Sequence, residues 1–159
     1  MERKLVKVFC DESRQTAARY MLLGGIWVPS WHEEEANKKC CAFRNDKGMW
    51  GHMKWTKVKK QKILEYKDFI NIFFEQMEAR RAGFRCMVID TNQLDIKKYS
   101  KGDEELQFYK MYYLYLLHKV DKVYRNLIFL DPRQNKKKTR LSTLKIVLNR
   151  GARKKFNID

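Results

Sequence analysis

Proline is almost missing from this chain. Pro29 and Pro132 are its only two in 159 residues, beside seven glycines. That excludes collagen-like repeats and proline-rich linkers. Histidine is scarce too, with His32, His52 and His118 far apart. The four cysteines, Cys10, Cys40, Cys41 and Cys86, form no C-x-x-C pair, and no histidine falls at zinc spacing from them. A zinc module and a disulfide scaffold are therefore excluded, and the thiols are expected to stay reduced. His32 opens the stretch His32-Glu33-Glu34-Glu35, which lacks the H-E-x-x-H spacing of a zinc protease. No apolar run is long enough to span a bilayer. At the N-terminus, Asp11 and Glu12 cut short any signal-peptide core, so a cytoplasmic protein without a membrane partner is expected. Internal repeats are absent as well.

Negative charge is the last shortage. Nineteen acids face 35 lysines and arginines, a formal net charge of +16. A domain with that excess meets polyanions, and without a membrane the expected partner is nucleic acid, DNA or RNA. The alternative is a basic surface that only solubilises. Apolar residues make up 44% of the chain, enough for a core, so one folded domain over 1–159 is expected rather than disorder.

Leu5 to Cys10 is apolar except for Lys7 and rich in β-branched residues, which predicts a strand buried on both faces. Tyr20 to Val28 predicts a second strand, hairpin-linked to the first. Ser30 is a candidate cap for a helix beginning at Trp31, closed by a turn at Asn45 to Gly48. Met49 to Trp55 reads as a short third strand. Lys57 to Ala82 carries apolar residues at Ile63, Tyr66, Ile70, Phe73 and Met77, a helical stripe that Gly83 would stop. Phe84 to Asp90 predicts another buried strand. Asp103 caps a helix striped by Leu106, Tyr109, Tyr113, Leu116, Val120 and Val123. Phe108, Tyr112 and Tyr115 on that helix read as core rather than as base-stacking residues. Asn126 to Asp131 is one more strand, and a helix with Leu141, Leu144 and Leu148 follows. The order β-β-(α)-β-α-β-α-β-α predicts a mixed α/β sheet with helices on its faces.

Three of the apolar strands end on an aspartate: Asp11, Asp90 and Asp131. Sites in open α/β sheets gather at that edge. If the strands are neighbours, their carboxylates converge, repel and require a cation. Oxygen ligands of this kind suit Mg²⁺ or Mn²⁺. Two such ions activate water and stabilise the leaving oxygen in phosphodiester cleavage. Glu12, beside Asp11, is a further candidate catalytic carboxylate. Two basic stretches are candidate phosphate contacts. One is Thr56 to Lys62, with Lys57, Lys59 and Lys60, preceded by Lys54. The other follows Asp131 and holds Arg133, Lys136 and Lys137. Cations at the start of a predicted helix run against its dipole, which marks the first stretch as a place to look for function.

The stretches FCDES, LLGGIWVP, GHMKWTKV before YKDFINIFF, FRCMVID, FYKMYYLYLL and IFLDPR, in that order, resemble the family called domain of unknown function 3800. The resemblance runs along nearly the whole chain. It implies a ribonuclease H-like fold and a metal-dependent nuclease-like domain, often carried by bacteria and mobile elements. It places Asp11 on the first-strand metal ligand, Asp90 beside it on a fourth strand, and Asp131 with Arg133 on a D-x-R after a fifth. His52 stands where the family often has an acid, which the resemblance makes a further candidate metal ligand, and the family's last acid-bearing helix lies past Asp159, as in a C-terminally truncated member. Those departures open a second function, a catalytically decayed module of the same fold that binds nucleic acid without cutting it.

Overall fold

The computed structural model describes residues 3–13, 19–120, 123–131 and 138–156. Four strands form one mixed sheet: β1 (Leu5–Ser13), β2 (Tyr20–Pro29), β3 (Gly83–Asp90) and β4 (Arg125–Leu130), in the order β3-β2-β1-β4. β1 pairs parallel with β4, from Leu5 opposite Arg125 to Cys10 opposite Leu130. The link of residues 14–19 between β1 and β2 is too short for a crossover, so these neighbours are antiparallel. The Thr91 amide just past β3 donates to the Arg19 carbonyl just before β2 at 2.8 Å, so β3 and β2 are antiparallel too. The C-terminal ends of β1, β3 and β4 therefore share one edge of the sheet.

Contacts divide the chain into two compact units, one of residues 1–25 with 85–159 and one of residues 26–84. In the first, Val6, Val8, Cys10, Met21, Leu23 and Ile89 are buried on one face of the sheet. Their alternates Phe9, Leu22, Val88, Leu127 and Phe129 are exposed. This corrects the expectation of strands buried on both faces. Lys7 was the signal: with a period of two it shares its face with Phe9 and Asp11, and that face is open.

Against the buried face lies α4 (Glu104–Leu117), following the short α3 (Ile96–Ser100). As expected, Asp103 caps α4, its carboxylate accepting from the Leu106 amide at 2.8 Å. Phe108, Tyr112, Tyr115 and Leu116 form its buried stripe, whereas Tyr113 is half-buried and Val120 lies beyond the helix. The aromatics are core, as the sequence predicts. The hydroxyl of Tyr115 reaches the Arg85 carbonyl of β3 at 2.9 Å. α5 (Arg140–Phe156) packs on α4 where Gly151 lets the two approach; a Cβ there would stand 2.6 Å from the Tyr113 hydroxyl. Arg140 ties the start of α5 to Asp103. Between α5 and β4 a groove of about 620 Å³ remains, lined by Ile128, Leu130, Leu141 and Leu148.

The second unit holds α1 (Glu33–Lys47) and α2 (Ile63–Glu78), joined by the Phe43–Phe69 ring contact at 5.5 Å and the Arg81–Glu35 ion pair. Ser30 does not cap α1: a 3-10 turn over Ser30–His32 precedes it, and Gly48 at φ 59° ends it. The expected strand over Met49 to Trp55 is absent. The Arg44 guanidinium takes the carbonyls of Met49, Trp50 and Gly51 at 2.8–3.0 Å, so they are bound to a side chain and not to a strand ladder. The long helix starts at Ile63, six residues later than expected, after 3-10 turns at Trp55–Lys57 and Lys60–Lys62. Its cations sit ahead of the helix rather than on its dipole. Arg80, at φ 56°, makes the reversal expected of Gly83, which instead begins β3. Among the described residues, no helix is long and apolar enough to cross a membrane.

Candidate acid cluster and basic surface

β1 and β4 carry their aspartates to the same edge in matching register. Asp11 and Asp131 each follow the last ladder pair, Cys10–Leu130, and both are exposed. Neighbouring strands lie about 4.8 Å apart, so this register brings the two residues side by side at the strand ends. The Asp11 carboxylate also turns back to accept from the Glu12 amide at 2.8 Å.

Asp90 does not join them. The sheet order puts β2 between β3 and β1, so Asp90 is two strands from Asp11, about 10 Å across the sheet. The expectation that it lies beside the first strand is corrected. Its carboxylate has another task. It accepts from Nε and a terminal nitrogen of Arg19 at 3.0 and 2.8 Å, from the Asn92 amide at 3.1 Å and from the Gln93 side chain at 3.3 Å. The Arg19 bonds foremost, then the Asn92 amide, hold its pKa below the usual carboxylate range. Arg19 supplies the positive charge that the sequence reading assigned to a metal.

Glu12 points the other way. It shares the buried face with Val8 and Cys10, and its Oε2 accepts the hydroxyl of fully buried Tyr112 at 2.9 Å. Burial first, and Glu12 second, push the Tyr112 pKa up. Glu12 thus fastens α4 to β1, and its carboxylate is on the opposite face from Asp11.

His52 and Lys54, Lys57, Lys59 and Lys60 belong to the second unit, and all are exposed. None of the four lysine side chains is in an ion pair among the described residues, whereas Lys62 is bound to Glu65 at 3.1 Å. Arg133, Lys136 and Lys137 lie outside the described residues. No group of three or more His, Cys, Asp or Glu that could hold a metal ion is present among the described residues. These residues do not fit a three-carboxylate Mg²⁺ or Mn²⁺ centre.

Two residues that the sequence reading passed over are on the open face with the acids. Phe9 and Phe129 are register partners, stacked with centroids 5.0 Å apart and planes 8° apart. The signal was available: Phe9-Cys10-Asp11 and Phe129-Leu130-Asp131 both read F-x-D, and a period of two puts each Phe on the face of its Asp.

No protein-family model matches the chain, and no curated protein or solved structure matches it either.

Proposed function

We propose that this protein binds nucleic acid through its basic surface without cutting it. The observation that carries this is the fate of the third acid: Asp90 is bound to Arg19, while Lys54, Lys57, Lys59 and Lys60 stand exposed with no ion pair among the described residues. The net charge of +16 supplies attraction to phosphates. The resemblance to the ribonuclease H-like family belongs to this reading as the decayed form of its fold, with two acid-bearing strands side by side and the third apart.

The test is fluorescence anisotropy with labelled oligonucleotides in EDTA across a salt series. Binding that weakens steeply with salt is expected without metal. Each lysine that neutralises a phosphate adds about 0.7 to the log–log slope on single strands and about 0.9 on duplex. Changing Lys54, Lys57, Lys59 and Lys60 together to Gln should flatten that slope by about 2.8 to 3.6 if all four make contact. Affinity that ignores salt would end the proposal.

A second reading, metal-dependent cleavage, is favoured by the adjacency of Asp11 and Asp131. Mg²⁺ sites are often built from one or two carboxylates with substrate phosphates completing the shell. Mn²⁺-dependent cleavage that Asp11→Asn and Asp131→Asn both remove would replace the first reading with this one.

A further inference from the structure

We propose that the open face of the sheet is a stacking platform for single-stranded nucleic acid, centred on Phe9 and Phe129. This rests on the nucleic-acid reading above and adds the substrate class and the place where unpaired bases are held.

Parallel rings 5.0 Å apart are too close to lie edge to edge in one plane, so Phe9 and Phe129 stand upright and face each other. Each ring thus keeps one outer face. Phe129 belongs to β4, the edge strand, and its outer face points off the sheet; the outer face of Phe9 points across β2. Phe9 and Phe129 are both 42% exposed. A base on either side would extend the existing stack, and every base offers a π-face for that. Bases within a duplex are already stacked and paired, so only unpaired bases can enter.

Charge gives the platform a direction. Along the same face, Lys7 and Arg125 lie on one side of the phenylalanine pair, and Asp11 and Asp131 lie on the other. A phosphate backbone would run past Lys7 and Arg125, with its bases turned to the rings and its charge away from the carboxylates. An apolar peptide gains nothing from that polarity, whereas a strand with one charged and one apolar edge matches it. Phe9 and Phe129 are exposed, so replacing them leaves the core intact.

The experiment measures binding of a single-stranded oligonucleotide and the matching duplex by anisotropy in EDTA, for wild type, Phe9→Ala, Phe129→Ala and Phe129→Trp. The expected result is tighter binding to the single strand. Each alanine change should weaken it by about fivefold or more and leave duplex binding as it was. Phe129→Trp should keep the affinity, and its new indole emission should be quenched when the single strand binds. Alanine variants that bind the single strand like wild type would overturn the platform. So would a wild-type dimer in sedimentation that both alanine changes dissociate, because the face would then be an interface between copies. If no variant binds either oligonucleotide at low salt, the nucleic-acid function itself fails; duplex binding without single-strand preference fails the platform alone.

Discussion

Replacing Tyr112 by Phe tests whether Glu12 is a structural residue or a catalytic one. The ring of Tyr112 is fully buried, so Phe keeps its packing and removes only the hydroxyl that Glu12 accepts at 2.9 Å. A hydrogen bond to a charged acceptor contributes about 1.5–3 kcal/mol. At about 2–4 °C per kcal/mol for a chain of this size, the melting temperature should fall by about 3–12 °C. Glu12→Gln keeps an acceptor oxygen and should cost less. The double variant should cost less than the sum of the two single changes, because both act on one bond. Thermal melting by circular dichroism at neutral pH reads all three, with oligonucleotide binding measured in parallel. Glu12→Gln should leave binding unchanged. A Tyr112→Phe protein that melts within a degree of wild type would refute the structural role. So would a Glu12→Gln protein that melts normally and loses function.

Three further outcomes follow from the same contacts. Burial pushes the Cys10 thiol from 9.0 up to about 12, with Glu12 adding to it, and pushes the hydroxyls of Tyr112 and Tyr115 up as well. The unfolded chain therefore loses these protons first, so stability present below about pH 9 should drain away as pH rises through about 10 and beyond; a melting temperature flat to about pH 11 would contradict this. Gly151→Leu should cost about 1–3 kcal/mol by forcing α5 off Tyr113 and Leu117, seen as a lower melting temperature with nucleic-acid binding retained. Asp90→Ala should leave any Mn²⁺-dependent rise in melting temperature unchanged while Asp11→Asn removes it, since Asp90 faces Arg19; equal loss in both variants would return Asp90 to the acid cluster.

The apolar runs, the Asp103 cap and the aromatic core of α4 were legible from residue type and spacing alone, because each depends on neighbours within a turn or a strand. The interrupted start of α2 was half legible. The cations against the dipole were visible, but the sequence did not say whether the helix would tolerate them or start later, and it starts later. The stretch from Met49 to Trp55 was not legible. Its backbone carbonyls are taken by Arg44, a residue of the preceding helix, and no strand-propensity argument contains that guanidinium. The open sheet face was visible in Lys7 and read as an exception.

That single missing strand moves the whole acid argument. With Met49 to Trp55 counted as a strand, Phe84 to Asp90 is the fourth, the strand that the family resemblance puts beside the first. With it removed, the strand of Asp90 is the third and pairs at the far side of β2, and the fourth strand, parallel and adjacent to β1, is the one that ends on Asp131. Adjacency to Asp11 thus passes from Asp90 to Asp131. Two carboxylates on neighbouring strands repel far less than three around one point, and the exposed edge solvates both. The third, displaced by two strands, meets Arg19 at the start of β2 and is neutralised there. Sheet order decides which acids share a charge problem and which are paired off. Of the three strand-end carboxylates, one is thus met by an arginine and the other two by solvent.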